Sequence, residues 1–397
     1  MTATASSPSA PGRPLAGRYP ALVCDLDGVV YRGASAVPHA VDGLAAAVDA
    51  GSGVVFATNN ASRTPADVAA KLRALGVRLD DEQVLTSSLA GASWLAERLT
   101  PGDHVLVVGG RGVPEAVRAV GLQPVTPEMM RQRAAGADGA DTGVDTQVDM
   151  GVDTRVDIEV KAVLQGYGPA VTAADLGEAA YAIQAGARWV ATNDDLTLPT
   201  DRGVAPGNGS LVRAVRLAVE VDPEVVGKPG PLMYELAAKA LGQDAAHTLG
   251  IGDRLETDVA GAHAAGMDAL HVLTGVHGPA DLVSAPAELR PRYVAADLRA
   301  LNLPYEEPRR LGDGAWAIGD CTATLAVDGA QPRVAFSGTP GPHAEADGVD
   351  GADAANDDGH GDGDIERLRL ALRVLWAAID DGRLTTQQAV AALPGRG

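Results

Sequence analysis

Asp25 and Asp27 stand one residue apart at the end of an apolar run, Ala21-Leu22-Val23-Cys24, and a glycine follows at position 28. In an extended strand, residues i and i+2 point to the same side, so both carboxylates leave a sheet together. Open α/β sheets take their ligands at that carboxyl edge. Two anions held this close repel, and a divalent cation offsets the repulsion. Taken alone, the pair serves equally as an acidic turn after an edge strand. Other strand-like runs also end in polar groups: Thr58-Asn59-Asn60 after 53–57, Lys228 after Val225-Val226-Gly227, and Asp253 after 248–251, with Asp258 close behind. In one parallel sheet these ends share an edge. Two acids from one strand and a third from another make an oxygen-only site suited to Mg²⁺. A lysine with amide donors suits a phosphoryl group.

Each group also has a plainer reading. Thr58-Asn59-Asn60 is compatible with a turn and helix cap. Lys228 is compatible with a surface lysine, and Gly227-Lys228 is not a P-loop, because Asp222 stands where that motif needs glycine. Asp258 is compatible with an acid at a helix N-terminus.

The elements that must position these residues alternate at short spacing. Strands are expected at 21–24 and 53–57, and helices at 37–50 and 65–75, the second closed by Gly76. The pattern continues with helix 87–99, strand 104–108 and helix 114–120. Gly109-Gly110-Arg111-Gly112 is not GxGxxG and reads as a tight turn. Further on, order resumes over 160–166, followed by helix 173–185, strand 189–191, a helix capped by Ser210 and running to 219, helix 232–241, strand 248–251, helix 259–265 and strand 269–273. Such alternation implies a parallel α/β sheet.

Residues 1–17 read as a disordered tail, and 134–157 as a low-complexity acidic insertion in which Val-Asp recurs at 144, 148, 152 and 156. That repeat matches no calcium-loop formula. Beyond about 305 the texture changes to strands at 316–327 and 333–336, a Gly/Asp/Ala-rich stretch at 339–364, and helices at 365–379 and 386–393.

Composition narrows the function classes. The chain has 397 residues and a formal charge of −20, which argues against a nucleic-acid or anionic-membrane partner. Its four lysines, at 71, 161, 228 and 239, make Lys228 conspicuous. Cys24 and Cys321 form no CxxC pair, so neither zinc nor a disulfide framework is indicated. Residues 1–20 lack a signal peptide's apolar core, no run reaches the length of a membrane span, and a cytoplasmic protein is expected. The eight histidines show no HxxxH spacing and read as structural or surface groups.

The order of DLDGVVYRG (25–33), ATNNAS (57–62), VATNDD (190–195), PGNGS (206–210), VVGKP (225–229) and GDRLETDVAGAHAAGM (252–267), followed by VLTGV (272–276), resembles the haloacid dehalogenase (HAD) superfamily. It is most similar to its IIA phosphatases, which include phosphoglycolate, pyridoxal phosphate and glycerol-phosphate phosphatases. The resemblance covers roughly residues 18–300. It implies a Rossmann-like parallel-sheet core (18–87 and 206–300), an inserted α/β cap domain (88–205) and, here, an additional C-terminal α+β segment (305–397). It assigns Asp25 as nucleophile, Asp27 as acid and then base, and Lys228 as the neutralising cation. Mg²⁺ would be held by Asp25, Asp253 and the backbone carbonyl of Asp27, with Asp258 orienting the metal shell or the lysine. Thr58 and Asn59, with Asn60 beside them, would hold the phosphoryl group. Asp195 and Leu198 would face the substrate from a cap loop near 194–200, and an apolar Leu198 in a loop without histidine favours a small aliphatic substrate.

The implied activity is Mg²⁺-dependent hydrolysis of a small phosphorylated metabolite through an aspartyl-phosphate, with glycerol 3-phosphate or 2-phosphoglycolate favoured. A phosphotransferase on the same fold and a catalytically silent phosphate-binding regulator are the alternatives. A dehalogenase needs neither Asp27 nor a metal. The C-terminal segment is compatible with a regulatory or homodimerisation module.

Overall fold

A computed structural model describes residues 12–139, 158–200, 202–328, 331–339 and 362–394. The Val-Asp repeat, the first eleven residues and most of the 339–364 stretch lie outside the described residues. The chain divides into two compact units: 1–55, 75–77 and 238–397 in one, and 56–74 and 78–237 in the other.

In the first unit, parallel strands pair in the order Tyr293–Ala295, Asp268–Val272, Thr248–Gly252 and Ala21–Cys24. Gly53–Thr58, within which the boundary between the units falls, comes next. Every residue of Ala21–Cys24 and of Thr248–Gly252 is buried, the pattern of strands covered on both faces. Cys24 lies opposite Ile251, and the Asp25 amide donates to the Ile251 carbonyl at 2.9 Å. This register brings the carboxyl ends of the two central strands out level with each other.

The same unit carries a four-stranded antiparallel sheet, ordered Arg309–Arg310, Trp316–Ile318, Cys321–Asp328 and Gln331–Ser337. The helices Asp362–Asp380 and Thr386–Ala391 follow it. The single strand expected over 316–327 is broken at Gly319, whose φ of 51° turns the chain between Ile318 and Cys321. The long helix is pinned to the core: Trp376 Nε1 donates to Leu282 O at 2.8 Å, Arg290 meets Asp380 at 2.6 Å, and Arg369 Nε donates to Val294 O at 2.7 Å. Arg369 also lies 3.9 Å over the Tyr305 ring.

The expected tail ends earlier than residue 17. Leu15 is fully buried, Ala16 N donates to Leu301 O at 2.9 Å, and Pro14 bridges Pro304. The buried Leu15 and these main-chain contacts together hold the segment.

In the second unit, five parallel strands run in the order Glu224–Val225, Arg188–Ala191, Val160–Gln165, His104–Val108 and Gln123–Val125. Alternate residues fill two cores. Val105, Val107, Ala162 and Leu164 pack with the helices Ser87–Ala96 and Gly112–Ala119. Leu106, Val108, Val163 and Trp189 pack with Ala173–Gln184 and Asn208–Arg216.

The inserted unit does not stop at 205. Its sheet reaches Val225, because Glu224 and Val225 pair with Val190 and Ala191. The helix at 208 begins two residues before Ser210, which is not its cap; Ser210 Oγ donates to Leu196 O at 2.7 Å. The short strand Gln123–Val125 and the helix Pro127–Gly139 were not expected, so 134–139, assigned above to the acidic insertion, continue a helix.

Candidate active site

Three carboxylates meet in the first unit. One oxygen from each of Asp25, Asp253 and Asp258 lies within 4.8 Å of the others, and Asp253 and Asp258 are buried. Asp25 and Asp253 follow neighbouring parallel strands. Asp258 arrives by a π-helical turn, Leu255–Val259, in which the amides of both Asp258 and Val259 donate to Arg254 O at 3.0 and 3.2 Å. That turn folds Asp258 back beneath Gly252, where an added Cβ would sit 2.1 Å from the Asp258 Cβ.

The acids fit a hard cation. Asp253 Oδ2 accepts from Val276 N at 2.6 Å. A Cβ at Gly275 would lie 1.8 Å from that oxygen, and one at Gly28 2.6 Å from it. Gly28 also has φ of 86°, a backbone state that a side chain strains. Two glycines therefore cradle the buried carboxylate, and the donor set is oxygen only, as magnesium prefers.

Asp258 joins Asp25 and Asp253 as the third carboxylate of this cluster, where the resemblance gave it a supporting role. Asp27 is exposed; its Oδ2 accepts from Tyr31 OH at 3.5 Å, and its carboxylate is not in the cluster. Its implied ligand atom is the main-chain carbonyl.

His277, read above only as structural or surface, braces this loop. Its Nδ1 accepts from Leu255 N at 3.0 Å and its amide donates to Asp253 O at 3.2 Å. The neighbouring His271 is fully buried, and burial pushes its imidazole below the usual range. Gly275 and His277 lie in and just after VLTGV, so the sequence marked the place without showing the function.

The second unit holds Thr58, Asn59, Asn60, Asp195, Leu198 and Lys228. Thr58 Oγ1 accepts from Asn60 N at 3.1 Å, which leaves its O–H as donor. Asn60 Oδ1 accepts from the Ser62 amide at 3.0 Å and from its hydroxyl at 2.7 Å, so this side chain builds the turn. Lys228 is 4% exposed and its Nζ donates to Ala57 O at 3.2 Å. It is no surface lysine.

Asn59 ties the group together. Its Oδ1 accepts from Lys228 N at 2.8 Å, and its Nδ2 donates to Lys228 O at 3.0 Å and to Asp195 Oδ2 at 3.2 Å. Asp195 therefore faces Asn59. Leu198 lies in the hairpin Thr197–Thr200 with Gly203–Pro206, paired with Ala205.

Residues 22–123 match the family model described as haloacid dehalogenase-like hydrolase, and 225–301 match that of HAD-like hydrolases. The chain is 42% identical over 289 residues to D-glycerol 3-phosphate phosphatase of Mycobacterium tuberculosis, covering 72% of each. It is 34% identical over 258 residues to a 5'-nucleotidase of Bacillus subtilis, covering 65% of this chain and 88% of that one. The crystal structure of a Mycobacterium tuberculosis glycerol phosphate phosphatase in complex with magnesium matches at a TM-score of 0.68 and 36% identity, over 92% of this chain and 93% of that one.

Proposed function

The chain belongs to the haloacid dehalogenase-like hydrolases, and on that premise we propose that it is a magnesium-dependent phosphatase of small phosphorylated metabolites, with glycerol 3-phosphate its favoured substrate and 2-phosphoglycolate the next. The observation that carries this reading is the trio Asp25, Asp253 and Asp258, gathered around a carboxylate that glycines enclose.

Asp25 attacks phosphorus through a carboxylate oxygen. The bond from phosphorus to the alcohol oxygen breaks, and Asp27 gives that oxygen its proton. Asp27, now ionised, takes a proton from water as the water cleaves the aspartyl-phosphate. Its exposure suits a group that must gain and lose a proton in each cycle. Asp25, Asp253, Asp258 and the Asp27 carbonyl would hold magnesium, which when bound would offset charge on the carboxylates and phosphoryl oxygens. As the family resemblance implies, Thr58 and Asn59 would hold the phosphoryl group, the latter through its main-chain amide, and Lys228 would offset its charge.

The preference for glycerol 3-phosphate is supported by the relative of that name and by the aliphatic Leu198. No helix among the described residues is long and apolar enough to cross a membrane.

The test is release of inorganic phosphate from a panel of phosphorylated metabolites with magnesium. Glycerol 3-phosphate should rank first by kcat/KM. Absence of turnover on every metabolite and on a simple aryl phosphate would refute the phosphatase assignment.

A further inference from the structure

Asparagine side chains from three separated motifs form a hydrogen-bonded relay inside the second unit. Asn208, in PGNGS, is 1% exposed and its Nδ2 donates to Asn193 O at 2.8 Å. Asn193, in VATNDD, is 3% exposed and its Nδ2 donates to Asn59 O at 2.7 Å. Ser87 Oγ donates to the same carbonyl at 2.7 Å. The Asn59 side chain then grips both main-chain groups of Lys228, N at 2.8 Å and O at 3.0 Å, as a neighbouring strand would.

We infer that Asn193 is a positioning residue for Lys228, acting through Asn59; this rests on the phosphatase reading above. Asn59 carries the placement of the lysine in its side chain and is itself fixed at its carbonyl. With the Asn193 donor removed, the peptide after Asn59 loses one of two restraints and the amide that holds residue 228 drifts with it. Closeness adds weight: a Cβ at Gly227 would lie 2.3 Å from Thr192 O and 2.7 Å from Asn59 Oδ1, so residue 227 packs directly on the main chain at 192 and on the Asn59 side chain. The relay also reaches the two segments that flank the hairpin. Asp195 N donates to Asn193 Oδ1 at 3.2 Å, and Gly209 N donates to Asp195 O at 2.9 Å. Displacing a charge-bearing group by an ångström costs far more in rate than in binding when that charge acts on the transition state.

The test compares Asn193→Ala and Ser87→Ala with the wild-type enzyme on glycerol 3-phosphate and on an aryl phosphate, beside melting curves. For Asn193→Ala the expected result is a fall in kcat of about fivefold or more on both substrates, with KM within about threefold. Ser87→Ala, which removes the other donor to the same carbonyl, should lower kcat in the same sense by about twofold or more.

Retained kcat in a folded Asn193→Ala overturns the inference, and so does a loss confined to KM for glycerol 3-phosphate. If Asn193→Ala does not fold, Ser87→Ala decides, and unchanged kcat there overturns it. A wild-type enzyme without turnover defeats the function itself and this inference with it. An active wild type beside an unimpaired Asn193→Ala defeats the inference alone.

Discussion

The two units solve the same problem, holding polar groups rigidly inside a protein, by opposite means. The first gathers like charges: Asp25, Asp253 and Asp258 repel, and a cation would offset that repulsion. The second uses neutral amides, Asn59, Asn193 and Asn208, each of which donates to a main-chain carbonyl. A bound cation should therefore stabilise the carboxylate cluster, whereas the amide relay is built from neutral protein groups. Function should follow the metal in one unit and the fold in the other.

The largest expected effect probes the first unit. Asp25→Asn removes the nucleophile while keeping its shape, and should lower kcat by roughly three orders of magnitude or more with the melting temperature held or raised, since one repelling charge is gone. A rate near wild type would break the comparison at its root. Next, chelation should silence the enzyme and magnesium restore it, with a rise in melting temperature as the metal returns. Activity that survives excess chelator would remove the cation from the scheme.

Gly275→Ala comes third. The new methyl would fall 1.8 Å from Asp253 Oδ2, so magnesium affinity, measured by the activation curve, should weaken by about 10- to 100-fold. An unchanged curve would mean the cradle does not set the carboxylate.

The smallest effect probes stability in the second unit apart from catalysis. Thr172 caps the helix Ala173–Gln184, with Oγ1 accepting from Asp175 N at 3.2 Å. Burial raises the Asp175 carboxyl, but hydrogen bonds from Thr172 and the nearby Arg131 outweigh it and hold the group below the ordinary carboxylate range. Thr172→Ala should cost about 1 kcal/mol in urea unfolding without changing kcat. A depressed carboxyl stabilises the fold above its unfolded pKa and loses that contribution as pH falls through the folded one, so the penalty should shrink below about pH 4. A change in kcat would mean the helix is not independent of the amide relay.

Much of the fold was legible because helix and strand alternate at short spacing and the strands are apolar throughout. Asp25, Asp253 and Lys228 were legible because each ends such a strand. What escaped notice depends on contacts distant in sequence. Asn193 and Asn208 read as residues of a polar loop and of a turn, and nothing local says that one side chain crosses to the Asn59 carbonyl. Gln123–Val125 is too short for periodicity and contains Pro124, which demotes a strand in any sequence reading. The register that draws Glu224 and Val225 into the inserted unit is likewise a property of pairing. Asp258 was seen as an acid near a helix start, and only the wide turn after Arg254 brings it round to its partners.

The Arg369 guanidinium carbon lies 3.9 Å over the Tyr305 ring while its Nε donates to Val294 O. What the C-terminal helix draws from this side chain is a plane as much as a positive charge. Lysine would keep the sign and lose the slab that covers the ring, so the seam between helix and sheet discriminates by outline where electrostatics alone would accept either base.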